Sequence, residues 1–215
     1  TRPCLRAPMP VETLSAFFAA SVLLGLSPGP DNLFVMMQSA MHGRAAGLRV
    51  VLGLCTGLLV HTAAVAAGLA AVFAASEIAF QALKAAGALY LLWLAWQAFS
   101  APVDAPAEGS APRLAGWALY RRGVLMNLTN PKVSIFFLAF LPQFADPARG
   151  PLAAQIVLLG AVFILATLLV FGAIAWFAGS LGGWLRRSRA ARRALNLAAG
   201  TVFSALAARL ALVQR

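Results

Sequence analysis

The sequence predicts an all-α polytopic membrane protein with six transmembrane helices, arranged as two inverted three-helix repeats. Of the 215 residues, 61% are hydrophobic and only 11% are charged, whereas about a quarter of a soluble domain is charged. The apolar residues also form long runs, and about 20 such residues are needed to cross a hydrocarbon core about 30 Å thick. These observations exclude a water-soluble globule and a disordered chain. The two cysteines, Cys4 and Cys55, imply no disulfide framework.

Charged and proline-rich stretches separate the predicted spans. The first span is broken, because uncharged residues 13–30 are followed by Asp31. The polar stretch 100–122 divides the chain, so we expect a tail at 1–11, repeats at 12–99 and 123–215, and a linker at 100–122. The six spans are predicted at about 12–38, 50–76, 79–99, 123–145, 152–178 and 194–213. We expect translation to start at Met9, and we expect the first span to be retained because no A-x-A cleavage site follows it.

The basic residues predict how the helices are oriented in the membrane. Although the net charge is +11, the lysines and arginines are spread through the connections, which argues against nucleic acid as a partner. Connections 1–2, 3–4 and 5–6 contain ten of them: Arg44, Arg49, Arg113, Arg121, Arg122, Arg186, Arg187, Arg189, Arg192 and Arg193. The opposite side contains six: Arg2, Arg6, Lys84, Arg149, Arg209 and Arg215. Because cytoplasmic loops are enriched in Lys and Arg, both termini are predicted to lie outside.

Two proline-containing motifs interrupt spans at corresponding places. S-P-G-P-D-N occupies 27–32 and N-L-T-N-P-K occupies 127–132, and Pro30 and Pro131 are 101 residues apart. Proline removes a backbone donor and opens a helix. In lipid, such a break persists only where protein or a wet cavity surrounds it. Interrupted segments in matching positions of two repeats therefore predict a transporter's substrate site.

Each break also contains one charge, Asp31 in the first span and Lys132 in the fourth. Insertion scales place the cost of such a charge at roughly 2.5–3.5 kcal/mol at a helix centre. One hypothesis is that the pair lines the pathway and exchanges partners with a zwitterion. The alternative is a static Asp31–Lys132 salt bridge that joins the two repeats.

Three stretches of the chain resemble the LysE/RhtB family of amino-acid exporters. They are SPGPDN at 27–32, the small-residue spacing from Gly43 to Gly57, and NLTNPKVSIFFLAFLPQF at 127–144. The resemblance runs from Met9 to the last helix. It implies a bacterial inner-membrane carrier that exports amino acids or related metabolites, with proton-motive coupling and a homodimeric assembly. Because family members differ in substrate, the resemblance selects none.

The breaks supply complementary groups for a free amino acid. Asp31 and carbonyls freed near Pro28 and Pro30 can receive the ammonium. Lys132 and the N–H groups after Pro131 can receive the carboxylate, since a helix N-terminus favours anions. The predicted substrate-binding set is Pro28, Gly29, Pro30, Asp31, Asn32, Asn127, Asn130, Pro131 and Lys132. Rocking of the two repeats about this point would then give alternating access.

Two residues are candidates for proton coupling. Asp31 is the acid well inside the first span, and His61 lies in the middle of the second. A histidine relay with Asp31 is one interpretation of His61, and a packed, hydrogen-bonded side chain is the other. We expect no metal site, because His42 and His61 lie far apart without a cluster of cysteines or carboxylates. No cofactor is expected either.

Other features have a structural and a functional interpretation. The small-xxx-small spacings Gly43–Gly47 and Gly53–Gly57 predict close helix packing, with a dimer seam as the alternative. Phe136, Phe137, Phe140 and Phe144 predict a bundle core or a lipid-facing surface, with a wall for a substrate side chain as the alternative. No nucleophile and base set supports an enzyme. The rival function is a cation or metal exporter, or a channel, of the same membrane fold type.

Overall fold

The computed structural model describes most of the chain. The described residues are 9–27, 29–75, 85, 88–89, 92–93, 95–97, 99–100 and 114–212. They contain helices and turns without a strand, which confirms the all-α prediction for this part of the chain. Most of the predicted third span and the linker up to residue 113 lie outside these ranges, as do Pro28 and residues 1–8.

The described helices follow the chain in this order: α1 (Val11–Leu26), α2 (Pro30–His42), α3 (Arg44–Ala75), α4 (Gly116–Leu128), α5 (Pro131–Ile135), α6 (Leu152–Arg187) and α7 (Arg189–Leu212). After α5 the chain continues through a π-helical turn, Phe136–Phe140, and two 3₁₀ turns, Leu141–Phe144 and Pro147–Arg149. Proline is the first residue of both α2 and α5. This is the helical position where the missing N–H costs nothing, so the two prolines restart the helices that they interrupt.

Two described helices are long and apolar enough to cross a membrane, over Arg44–Gly68 and Leu152–Ala178. Two bent pairs raise the number to four if each pair forms one span. The first pair, α1 and α2, is bent by 65°, and the second, α4 with Pro131–Phe144, is bent by 50°. Both predicted breaks are therefore confirmed, while the six-span inverted repeat remains a prediction.

Several helices extend beyond the predicted spans. α4 begins at Gly116, before the fourth span predicted at 123–145. α3 begins at residue 44, before the predicted 50, and α7 at 189, before the predicted 194. α6 continues to 187, but its apolar part, Leu152–Ala178, has the bounds of the predicted fifth span. Hydropathy detects only the part of a helix inside the hydrocarbon. The arginine-containing turns beyond it remain helical because arginine is a good helix former.

The packing prediction for the Gly53–Gly57 spacing is confirmed. A Cβ atom on Gly53 would collide with the Tyr120 carbonyl oxygen of α4, and one on Gly57 would lie 2.5 Å from Asn127 Oδ1. The absence of both side chains therefore lets the backbones of α3 and α4 approach closely. The Tyr120 hydroxyl reinforces this contact by donating to Thr56 Oγ1 at 3.0 Å.

The interior contains two apolar clusters. One is rich in aromatic rings and includes Phe17 of α1 and Phe163 of α6, together with the four phenylalanines at 136, 137, 140 and 144. Those four are at most 7% exposed, so they belong to the bundle core and are not lipid-facing. The other cluster includes Val50 and Leu54 of α3 with Phe171 of α6. A small cavity beside the two helix breaks is lined by residues of both clusters.

Candidate functional site

The first break leaves carbonyl groups at the end of α1 without partners in the helix. Side chains from outside α1 donate hydrogen bonds to them. Lys132 Nζ donates to the carbonyl oxygens of Leu24 at 2.9 Å and Ser27 at 3.1 Å. Asn32 Nδ2 donates to the Gly25 carbonyl at 2.7 Å. The last carbonyls of any helix lack intrahelical partners, and in lipid each unsatisfied group costs several kcal/mol. Lys132, which belongs to the second break, thus satisfies carbonyl groups at the C-terminal end of α1.

The second break is organised by Asn130. Its Oδ1 accepts from the Lys132 backbone N–H at 3.0 Å, which caps α5, and its Nδ2 donates to Asp31 Oδ2 at 2.7 Å. The chain before it closes locally, since the Thr129 N–H donates to the Leu125 carbonyl at 2.9 Å. Asn130 therefore caps the N-terminus of α5 and also hydrogen-bonds to Asp31 of the first break.

The Asp31 and Lys132 side chains do not form a direct salt bridge, so that alternative is wrong as stated. Within the described ranges, the ion pair closer than 4.0 Å is Arg149 with Asp146, at 3.2 Å on the surface. Asn130 lies between the two charges, bonded to the carboxylate of Asp31 and to the backbone of Lys132. Each charge is thus held by neutral groups that a ligand of opposite charge could replace.

Both charges line the same cavity. Its volume is about 20 Å³, which is room for one water molecule. Asp31, Asn127, Lys132 and Thr167 supply the polar part of the lining. The rest is apolar: Leu24, Gly25, Leu54, Val133, Phe163 and Phe171. At this volume the cavity has no space for an amino acid, so binding one requires the helices around it to move apart.

Three side-chain oxygens beside the breaks are buried without a hydrogen-bond partner in the described part of the chain. They are Oδ1 of Asp31, of Asn32 and of Asn127. Asp31 is only 5% exposed and Asn127 only 3%. A buried acceptor without a partner costs about 1–3 kcal/mol, so such groups call for an explanation. Free acceptors next to a buried ammonium can bind a ligand that presents both a donor cation and an acceptor anion.

The structure brings most of the predicted binding residues together. Asp31, Asn127 and Lys132 line the cavity, and Asn130 bonds to two of them. Gly29 lies beside the site, since a Cβ atom there would be 3.5 Å from Lys132 Nζ. The remaining predicted residues act on the backbone around the cavity: Pro30 and Pro131 begin helices, and Asn32 caps α1. Pro28 lies outside the described residues.

His61 lies near this site but outside the cavity lining. Its Nε2 is 3.4 Å from the Asn127 carbonyl oxygen, and its ring is 5.5 Å from the ring of Phe137. These contacts match the interpretation of His61 as a packed, hydrogen-bonded side chain. Among the described residues, no hydrogen bond or ring contact joins His61 to Asp31, so their relay remains a prediction. No group of three or more His, Cys, Asp or Glu suited to a metal ion occurs among the described residues.

Sequence reasoning missed the contribution of α6. Phe163, Thr167 and Phe171 all line the cavity and follow one another at intervals of four residues. The available signal was a threonine with a phenylalanine four residues away on each side, in a span that is apolar along most of its length. In a helix that is apolar on every side, however, hydropathy does not indicate which face is turned inward.

An all-helical membrane bundle in which interrupted helices bring an acid and a base to one buried cavity has the features of a secondary carrier. The comparison with protein families agrees, because the LysE type translocator model matches residues 22–214. The chain belongs to the LysE type translocator family. It is a transporter of an amino-acid efflux family and not an enzyme.

Named relatives cover nearly the whole chain. It is 36% identical over 203 residues to a homoserine/homoserine lactone efflux protein of Salmonella typhi, covering 94% of this chain and 98% of the relative. It is 30% identical over 208 residues to a leucine efflux protein of Klebsiella pneumoniae, covering 92% and 94%. An uncharacterized membrane protein of Vibrio cholerae is 32% identical over 195 residues, covering 91% and 94%. No solved structure matches the chain.

Proposed function

We propose that this protein exports an amino acid, or a related small zwitterion, by binding it between Asp31 and Lys132. The observation that carries the proposal is that both charges line one cavity without pairing with each other. The unpartnered Oδ1 atoms of Asp31 and Asn127 add acceptor capacity at the same place. One relative is named for the efflux of homoserine and homoserine lactone and another for the efflux of leucine, and homoserine and leucine are amino acids.

Binding would proceed by exchange of partners. Lys132 Nζ leaves the carbonyls of Leu24 and Ser27 and binds the substrate carboxylate. The released carbonyls, together with Asp31 Oδ1, receive the substrate ammonium, so one ammonium replaces another at the negative end of α1. Because the number of buried charges that lack a partner does not rise, this exchange avoids the large cost of an isolated ion in lipid.

Proton antiport is the coupling that we propose, with Asp31 as the proton carrier. Its Oδ1 is unpartnered and borders a cavity that has room for one water molecule. A protonated Asp31 no longer attracts an ammonium, so protonation from the outer side would favour release of the substrate. His61 is a second candidate, because it contacts the backbone of Asn127, which lines the cavity.

We also propose the finer topology: six spans in two inverted repeats, in a bacterial inner membrane, with both termini outside and a homodimeric assembly. Two bent helix pairs, each restarted by a proline, support the repeat. Single cysteines in the loops, tested with a membrane-impermeant thiol reagent on whole cells, would check the orientation. Labelling of the Arg186–Arg193 stretch, where α6 ends and α7 begins, from outside the cell would contradict it.

The function is tested with purified protein in liposomes that contain labelled homoserine or leucine. We expect saturable efflux that an inward proton gradient accelerates. If the efflux rate does not change when the pH gradient is collapsed, Asp31 is not a proton carrier. The protein would then still be an amino-acid carrier. Flux of Na⁺ or K⁺ without amino-acid transport would instead support the rival function of a cation exporter or a channel.

A further inference from the structure

One face of α6 places a hydroxyl between two aromatic rings at the cavity. Phe163, Thr167 and Phe171 are spaced by four residues and all contribute to the lining. Residues four apart in an α-helix lie on the same face, separated by about 6 Å along the axis. Thr167 is therefore the polar centre of an otherwise apolar stripe that lies against the Asp31 and Lys132 site.

The Thr167 hydroxyl lacks the hydrogen bond to a carbonyl four residues earlier that three other threonines make. Thr56, Thr62 and Thr129 each donate to the carbonyl oxygen four residues earlier, at 2.7–3.1 Å. No hydrogen bond of Thr167 is found among the described residues, although this side chain is only 6% exposed. Its Oγ1 is not one of the fully buried oxygens that lack a partner, so it faces the space of the cavity. A ligand that fills the cavity removes water from this hydroxyl, which costs free energy unless the ligand hydrogen-bonds to it. Because Thr167 lies in the wall of the cavity, a substrate bound there can form this hydrogen bond.

The other lining residues restrict what the hydroxyl can contact. Asp31 and Lys132 are the charged residues of the lining, and both are engaged once an ammonium and a carboxylate are bound. A charged substrate side chain would therefore lack a partner in a desolvated site. The apolar walls of Leu54, Phe163 and Phe171 suit a short carbon chain, and Thr167 offers a hydrogen bond between the two phenylalanines.

We propose that Thr167 is a specificity-determining residue that selects amino acids with a short, uncharged, oxygen-bearing side chain over purely aliphatic ones. The inference deepens the proposed function and rests on it. A site that hydrogen-bonds a substrate hydroxyl discriminates strongly against analogues without one, because the site's polar group is then left unpaired. An aliphatic side chain such as that of leucine leaves Thr167 in this unfavourable state.

The test is the ratio of homoserine to leucine transport in liposomes that contain wild-type protein, Thr167→Val or Thr167→Ser. Valine keeps the volume and shape but removes the hydroxyl, whereas serine keeps the hydroxyl. We expect Thr167→Val to lower homoserine kcat/KM about tenfold, the effect of one lost hydrogen bond to a buried group. Leucine transport should be unchanged or increased, and Thr167→Ser should retain the preference for homoserine.

Thr62→Val is the matched control. Thr62 is equally buried, at 6% exposed, and contacts α6 at Gly160, but it does not line the cavity. This variant should leave the transport ratio unchanged. Parallel loss of both activities in Thr167→Val, or no change in their ratio, would overturn the role of Thr167 while wild-type transport upholds the proposed function. Wild-type protein that moves neither amino acid would refute both.

Discussion

The two interrupted helices look equivalent in sequence but are completed in different ways. At the second break, Asn130 caps α5 with its own side chain, and Thr129 closes the end of α4 by local hydrogen bonds. At the first, Gly29 has no side chain to cap α2, and Lys132 completes the end of α1 from the other break. The residues of the second break supply its hydrogen bonds, whereas the first break needs the hydrogen bonds of Lys132 from the second. A substrate that recruits Lys132 would therefore loosen the first break before the second.

The largest expected effects come from the two charges, and they differ in kind. Lys132→Met and Asp31→Asn should each lower export at least about 30-fold, because truncating one member of a desolvated charge interaction costs 2–5 kcal/mol. Only Lys132→Met also leaves the Leu24 and Ser27 carbonyls unpaired, so it alone should lower the unfolding temperature in detergent. Efflux assays and thermal unfolding measure the two properties on the same preparations.

A surface pair provides the control for these variants. Asp146 and Arg149 carry the same kinds of charge, but their side chains are 49% and 39% exposed. Exposed ion pairs contribute about 0–1 kcal/mol, so Asp146→Asn should change export less than about twofold. Equal destabilisation by Asp31→Asn and Lys132→Met would contradict the dependence of the first break on the second.

Exchanging the two charges tests whether the breaks are interchangeable. In the double variant Asp31→Lys with Lys132→Asp, the Asn130 side-chain N–H₂ would face a cation, and the carbonyls at the end of α1 would face a carboxylate. Both contacts become repulsive, so we expect export to stay as low as in the single variants. Normal transport by the exchanged protein, measured in the same efflux assay, would show that the surroundings of each charge do not matter.

The asparagines should show a smaller but unequal effect. Asn130→Ala removes both the cap of α5 and the donor to Asp31, and loss of a cap alone costs about 0.5–2 kcal/mol. Asn32→Ala removes one bond, to the Gly25 carbonyl. We expect Asn130→Ala to reduce export about tenfold and Asn32→Ala only a few-fold. Dose-dependent resistance of expressing cells to external homoserine provides the measurement, and the reverse order would refute the central position of Asn130.

The smallest expected effects come from glycines of α3. A Cβ atom at position 57 would press on Asn127 Oδ1 at 2.5 Å, whereas one at position 68 of the same helix would meet nothing within 4 Å. Gly57→Ala should therefore displace Asn127 and reduce export a few-fold, while Gly68→Ala should stay near wild type. If both variants export normally, as measured by initial efflux rates, the position of Asn127 is less constrained than its packing indicates.

The sequence alone predicts the breaks and their charges, since proline, glycine and intramembrane ions have strong local causes. Two features escaped it for physical reasons. The position of Lys132 Nζ depends on which carbonyls a long, flexible side chain can reach. The contribution of Thr167 depends on the rotation of α6, which is apolar all round. The start of α4 at Gly116 lies before the predicted span because its first turns contain Arg121 and Arg122, so they are helical without being apolar.

The contact between Gly53 and Gly123 restricts how the transporter can change shape. α3 belongs to the first half of the sequence and α4 to the second, yet their backbones touch, and the Tyr120 to Thr56 hydrogen bond crosses the same contact. Separating them would expose polar backbone and open a void. The boundary between the moving and the fixed parts should therefore run through the interrupted helices, with α3 and α4 on one side as a single rigid unit, and not between the first three spans and the last three.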